Sequence, residues 1–324
     1  MGATRDFLDF ALFVGFFPQL VMGPILRAIG FLPQLDVEKR FGDIRFKAFI
    51  ALFLIGFFKK TVISDNIAPI VDAVYADPTG QTALGVWIAV LFYAVQLYCD
   101  FSAYSDMAIA LSGMLGYTVP TNFDFPFFAK NISDFWRRWH ISFSSWLRDY
   151  LYFPLGGNRG SESRTWFNLM ATMLLSGLWH GAGVNFIVWG GLNGLGLIVH
   201  RVYQNSSHVP QVLRRGFGAV GMLLTFYWFA MTLIFFRSPS LAESVPISRG
   251  FIGFQSLGTQ QPDPWLLLWF VPLIAVHWLS SRIDLPVQAE KVPDWAYPIG
   301  LGFAVSATLA FVKLDYRPFI YFQF

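Results

Sequence analysis

Five histidines stand in this sequence, and two of them sit where an imidazole can do chemistry. His180 ends the almost wholly apolar run from Asn168 to Trp179 and is followed by Gly181. An ionisable side chain at the end of a buried helix is expensive and is usually kept for a reason. Neutral imidazole, with a pKa of about 6.5, can take a proton from a hydroxyl and return it near neutral pH. The structural alternative is a capping or packing histidine with one hydrogen-bond partner. His140 lies in the phrase DFWRRWHISFSSWLRDY, from Asp134 to Tyr150. No histidine pair has ligand spacing such as HExxH, and Cys99 is the single cysteine, so neither a metal site nor an intrachain disulfide is expected.

Placed at 100° per residue, the segment from Asp134 to Tyr150 reads as one amphipathic helix. Trp136, Trp139, Phe143, Trp146, Leu147 and Tyr150 fall within an arc of about 100°. Arg137, Ser144 and Arg148 form a stripe beside it, and His140 sits on the border between the aromatic and cationic faces. Such a helix either lies in the membrane interface with Trp and Arg at headgroup level or lines a cavity for an anionic or hydroxylated substrate, with Arg137 and Ser144 among its walls. The phrase runs on into FPLGGNRG, whose glycines let backbone approach a ligand or another helix closely.

Transfer of an acyl group to a hydroxyl would suit these residues. It needs a base for the hydroxyl proton and donors for the oxyanion of the tetrahedral intermediate. Asn158, His140 or a backbone N–H are candidate donors. A thioester is already activated, so no bound cofactor is required. Asp100, four residues after Gln96 on one helix face, either orients a histidine or pairs with an arginine for structure. Cys99 reads as a buried inert thiol. Gly190 and Gly194 have the spacing of close helix packing. His200 at a helix end and His208 in a loop read as solvated, and His277 as a structural hydrogen bonder.

The elements that must hold these residues are membrane helices. The chain of 324 residues is 55% hydrophobic and only 13% charged, where soluble domains carry about 25% charged residues. Aromatics make up 19%, and the net charge of +3 is too small to suggest nucleic-acid binding. Apolar stretches at Phe7–Ala28, Phe46–Ile63, Leu84–Tyr104 with Asp106–Tyr117, Thr165–Trp179, Asn185–Tyr203, Phe217–Phe236, Trp265–Ser280 and Trp295–Val312 predict roughly eight or nine helices crossing or entering a bilayer. The first is interrupted by Pro18, Gly23 and Pro24 and is expected to bend or re-enter. The second is expected to end at Lys59 and Lys60. The fold class is therefore all-α: one polytopic membrane bundle over residues 1–324, with no repeat and no soluble domain. Arg214 and Arg215 favour the cytoplasm for their loop; the other loops give no consistent orientation. Buried carboxylates and histidines also mark proton-coupled transporters, but no inverted repeat supports that class.

Six phrases, in order, resemble the membrane-bound O-acyltransferases of the bacterial type, and most closely the alginate and polysaccharide O-acetyltransferases. They are FFPQLVMGPILR (Phe16 to Arg27), QLYCDFSAYSDMAIAL (Gln96 to Leu111), FWRRWHISFSSWLRDYLYFPLGGNR (Phe135 to Arg159), LLSGLWHGAGVNFIVWGGLNG (Leu174 to Gly194), IFFR (Ile234 to Arg237) and PFIYFQF (Pro318 to Phe324). The resemblance implies a helical fold around a tunnel, with His180 of the WHG phrase as catalytic residue and His140 as the second histidine near the tunnel. It makes Trp179, with Arg137, Ser144, Asn158 and Asp100, a candidate for substrate or tunnel contact. It implies an acyl donor such as acetyl-CoA or another thioester on the cytoplasmic side and an extracytoplasmic acetyltransferase partner. It further implies an exported polysaccharide acceptor and residence in a bacterial inner membrane. D-alanyl transfer to teichoic acid and acetylation of peptidoglycan belong to the same class; a non-catalytic membrane subunit is the remaining alternative. Family members carry several more helices before the FPQL phrase, so this chain is expected to correspond to the C-terminal portion of the family fold.

Overall fold

The computed structural model describes residues 6–207, 218–313 and 317–322. Arg214, Arg215 and His208, which carried the expectations on orientation and solvation, lie outside the described residues. Among the described residues the chain is helical, apart from two isolated backbone bridges, Gln81 with Gln260 and Phe123 with Trp139. The principal helices are α1 (Phe7–Gly15), α2 (Phe46–Phe58), α3 (Asp65–Ala76), α4 (Ala83–Met114), α5 (Ile132–Arg138), α6 (Ile141–Leu147) and α7 (Glu162–His180). They continue as α8 (Val184–Asn205), α9 (Ala219–Arg237), α10 (Leu241–Ile252), α11 (Phe270–Ser280), α12 (Leu285–Glu290) and α13 (Tyr297–Leu309).

Two of these, α4 and α9, are long and apolar enough to cross a membrane; Phe7–Gln19, Pro264–Ser280 and Tyr297–Leu309 are shorter apolar stretches. Among the described residues, then, two of the roughly eight or nine helices expected to cross or enter a bilayer have the length and composition of a full span. The N-terminal stretch breaks where expected: α1 stops at Gly15, and a short 3-10 turn follows at Phe17–Gln19. Helices α7 and α8 are 19 and 22 residues long, but their polar residues dilute them below a purely apolar span.

The chain forms two compact units. The first comprises residues 1–66, 96–122 and 274–324. Its polar interior explains the course of two helices. Helix α2 departs from expectation: it does not stop at Lys59 and Lys60 but passes through a π-turn, Lys59–Ser64, into α3. Helix α4 joins the stretch Leu84–Tyr104 and its continuation from Asp106 in one helix of 32 residues. Both follow from pairing. Lys60 Nζ lies 2.9 Å from Asp100 and 2.8 Å from Asp65, while Lys59 lies 2.7 Å from Asp106. The second Asp100 oxygen accepts the Ile320 N–H at 2.8 Å. A π-turn adds a residue to the helical turn, and this one places two successive lysines against α4. Close approach helps: a Cβ on Gly56 would lie 2.7 Å from the Ala103 carbonyl oxygen.

The second unit comprises residues 67–95 and 123–273. Its centre is the antiparallel hairpin of α7 and α8, joined by Gly181–Gly183. A Cβ on Gly177 would meet the Phe186 carbonyl oxygen at 2.2 Å, and one on Gly190 the Met173 carbonyl oxygen at 2.3 Å. Gly194 faces Met170. The GxxxG spacing thus marks backbone-to-backbone contact. Aromatic packing of Phe135 and Trp139 on Phe229, with ring centroids 4.5 and 4.8 Å apart, ties α5 to α9.

The segment from Asp134 to Tyr150 is not one helix. Helix α5 ends at Arg138, Trp139 is extended, and His140 takes a left-handed conformation (φ 44°, ψ 54°) before α6 begins. The bridge of Trp139 to Phe123 and the Asp124 N–H on the Arg138 carbonyl pull this point out of the helix. The helical phase is reset there, so the continuous face drawn across His140 does not exist. Past the break, Phe143 and Leu147 are buried while Trp146 and Tyr150 are exposed.

The Lys60–Asp100 pair supports a stability prediction. Lys60→Met leaves the fully buried Asp100 without its cation and should cost about 3–5 kcal/mol, lowering the unfolding midpoint of the purified protein. Adding Asp100→Asn should restore much of that loss; an unchanged midpoint in Lys60→Met would contradict the assigned pairing.

Candidate functional site

The second unit brings the two predicted histidines together. Four aromatic rings surround His180 at the end of α7: Trp179 at 5.0 Å between centroids, Trp189 at 5.1 Å, Phe236 at 5.1 Å and Phe143 at 6.0 Å, all edge-on. His140 stacks on Phe143 at 5.0 Å and lies 6.4 Å from Trp179. It is 4% exposed, and burial followed by the nearby His180 holds its imidazole well below its ordinary pKa. Its surroundings thus favour the neutral imidazole. A neutral imidazole can donate through one ring nitrogen and accept through the other.

Each wall has a local cause. His180 is delivered by α7, capped at its start by the Ser161 hydroxyl, which accepts the Arg164 N–H. Gly181 follows because a Cβ there would strike the Phe186 ring at 2.4 Å. Phe236 is set by Asn185, whose side-chain amide donates to the Phe235 carbonyl at 3.2 Å and the Ser238 carbonyl at 2.7 Å. Those carbonyls end α9 and would otherwise lack partners. Arg237, next to Phe236, pairs with Asp72 at 2.9 Å and lies over the Tyr75 ring at 5.4 Å. The His140 turn is held by the Ser144 N–H on the His140 carbonyl and the Ser144 hydroxyl on the Trp139 carbonyl.

The other predicted residues are placed differently. Ser144 is spent on that turn, and its hydroxyl reaches backbone. Arg137 is exposed, and its charge reaches His200. His200 lies inside α8 and is half-buried, not at a solvated helix end. Asn158 precedes α7, whereas His180 ends it; 18 residues of helix separate the ends by about 27 Å. Asn158 is thus no oxyanion donor for His180. It accepts from Tyr152 Oη and from Arg201 at 3.3 Å instead. Asp100 belongs to the first unit and pairs with Lys60, neither a histidine nor an arginine. Cys99 is buried as expected, and His277 meets the Tyr98 ring edge-on at 5.4 Å. No grouping of three metal-ligating side chains occurs among the described residues. Sequence reasoning passed over Phe143 as a wall of the site, and Trp189, Phe236 and Asn185 altogether. Trp189 and Asn185 were legible in principle, because Asn185, Trp189 and Asn193 recur every four residues on one face of α8.

The MBOAT, membrane-bound O-acyltransferase family, matches residues 2–239. The chain is 47% identical to a probable alginate O-acetylase AlgI of Azotobacter vinelandii, across 99% of this chain and 71% of that protein. It is 41% identical to a peptidoglycan O-acetyltransferase of Helicobacter pylori, across 79% of this chain and 48% of that protein. A teichoic acid D-alanyltransferase of Streptococcus thermophilus is 26% identical over 72% of this chain. The match thus spans about half the length of the Helicobacter relative.

The His140 turn separates backbone from side-chain roles. A left-handed residue with a Cβ costs about 1 kcal/mol more than glycine. His140→Gly should therefore unfold at a higher temperature than His140→Ala while losing the same imidazole. Equal midpoints would contradict the left-handed turn.

Proposed function

The chain belongs to the membrane-bound O-acyltransferase family, and from that premise we propose that it acetylates the hydroxyls of an exported polysaccharide such as alginate. In this reading it works in a bacterial inner membrane as a multi-pass protein. The donor is acetyl-CoA or another acyl thioester on the cytoplasmic side. An extracytoplasmic acetyltransferase partner and the polymer complete the path. The observation that carries the reading is the pair of imidazoles inside one aromatic enclosure, in a chain whose relatives are named O-acetylases.

The chemistry follows from the enclosure. His180 takes the proton of the acceptor hydroxyl as its oxygen bonds to the acyl carbon. The C–S bond then breaks, and the thiol and ester are the products. His140, held neutral, donates a hydrogen bond to the oxyanion that develops between these steps. The rings of Trp179, Trp189, Phe143 and Phe236 hold the His180 imidazole in one orientation for the acceptor hydroxyl. Trp179, 54% exposed, forms the side from which the acyl group approaches. Peptidoglycan is the second acceptor, supported by the 41% identity to a peptidoglycan O-acetyltransferase.

The test is complementation of a deletion strain by the full-length gene, with acetyl ester measured on the secreted polysaccharide and on peptidoglycan. His180→Ala should lower ester by about a hundredfold or more, and His140→Ala by about tenfold or more. Wild-type ester with His180→Ala would contradict the assignment. Ester restored on peptidoglycan alone would transfer the reading to the second acceptor.

A further inference from the structure

The buried face of the α7–α8 hairpin carries more polar atoms than the reaction described above uses. Asn168, Thr172, Ser176 and His180 recur every four residues on α7, as do Asn185, Trp189 and Asn193 on α8. The glycine contacts fix the register, placing Gly177 against Phe186 and Gly190 against Met173. In an antiparallel pair with that register, both stripes point to the same side of the hairpin. Asn168, Ser176 and Asn193 are each 0% exposed. Asn168 Oδ1, Ser176 Oγ, Asn193 Oδ1 and Trp189 Nε1 have no hydrogen-bond partner among the described residues, nor does Trp136 Nε1, whose ring packs on Trp189 at 5.9 Å. Each such atom costs about 1–3 kcal/mol if nothing meets it. Five of them beside one row of side chains are a lining, and acceptors, donors and a hydroxyl together suit water.

The row has two ends. One is His180. At the other, the Asn168 side-chain amide donates to the Gly157 carbonyl at 3.0 Å. Beyond it, Tyr152 Oη donates to Asn158, and Arg201 donates to Asn158 at 3.3 Å and to the half-exposed Glu162 at 2.8 and 3.0 Å. Successive side chains on such a stripe lie about 6 Å apart, a gap one water spans.

We propose that this seam is a proton relay, in which Ser176, Asn193 and Asn168 hold a file of water molecules linking His180 to the Tyr152–Asn158–Glu162 end. The proposal rests on the acyl-transfer reading for what it serves. The acceptor hydroxyl loses its proton to His180 as the C–O bond forms. That proton leaves along the seam to Glu162 and solvent, and the departing thiolate takes one from solvent on its own side. Thioester and alcohol still give ester and thiol, and no further reactant is needed. The relay readies His180 for the next turnover, since an imidazolium left there could not take another hydroxyl proton.

Ser176→Ala and Asn193→Leu in the full-length protein test this. Both should form ester at least about tenfold more slowly, show a larger solvent deuterium isotope effect, and regain rate with added imidazole buffer. The unfolding midpoint of Ser176→Ala should stay close to that of the wild type, because Ser176 Oγ meets no protein partner among the described residues. Wild-type rate and isotope effect in Ser176→Ala, or a loss that imidazole does not relieve, would overturn the relay. A wild-type protein that forms no ester would instead overturn the functional reading. The relay then stands on a second measurement, a high-resolution structure in lipid. Water within hydrogen-bond distance of Ser176 Oγ and Asn193 Oδ1 supports it, and a dry seam overturns it.

Discussion

Backbone contact between α7 and α8 is the constraint on which the second unit depends. Gly177 and Gly190 let the helices touch where any Cβ would collide with a carbonyl oxygen. That contact sets the register of the hairpin, and the register decides which side chains share its inner face. His180 reaches its enclosure only because Trp189 stands opposite it and Asn185 pins the end of α9. A larger residue in the glycine seam would move α8 away and open the enclosure at once.

The enclosure then governs the chemistry. Aromatic rings on several sides of an imidazole fix its orientation and lower the polarity around it, which disfavours its charged form. A base in that state is ready for a hydroxyl proton but is a poor place to leave one. The left-handed turn at His140 leaves a second imidazole stacked on Phe143, beside the rings that surround His180. Strain of this kind persists where surrounding structure over-determines it; here the Phe123 bridge and the Ser144 bonds do so.

The helical character and the glycine hairpin were legible in the sequence, and so was the choice of His180 and His140 as a pair, which the structure brings to the same aromatic rings. Apolar runs, small-residue spacing and family phrases each report on local pattern. The break at His140 was not legible, since it comes from the pairing of Trp139 with Phe123 and of Arg138 with Asp124, and no helical wheel contains those partners. The partners of the acids on α4 were hidden for a related reason: Lys60 and Lys59 stand 40 and 47 positions before Asp100 and Asp106. Asn158 was misplaced because a motif near His140 in sequence was read as near it in space, although the length of α7 separates it from His180. The buried stripe of Asn168, Ser176 and Asn193 was visible as a period of four, yet only the hairpin register shows that its members face one side.

The central claim is that acyl transfer takes place at His180, within this enclosure. A structure of the full-length protein in lipid with a non-reactive thioether analogue of the donor tests it most directly. The account predicts the analogue's carbonyl carbon inside the ring of Trp179, Trp189, Phe143 and Phe236, with the acceptor position about 3 Å from the His180 ring. An analogue bound with its carbonyl outside that enclosure, and the His180 ring still packed against the four aromatics, would contradict it.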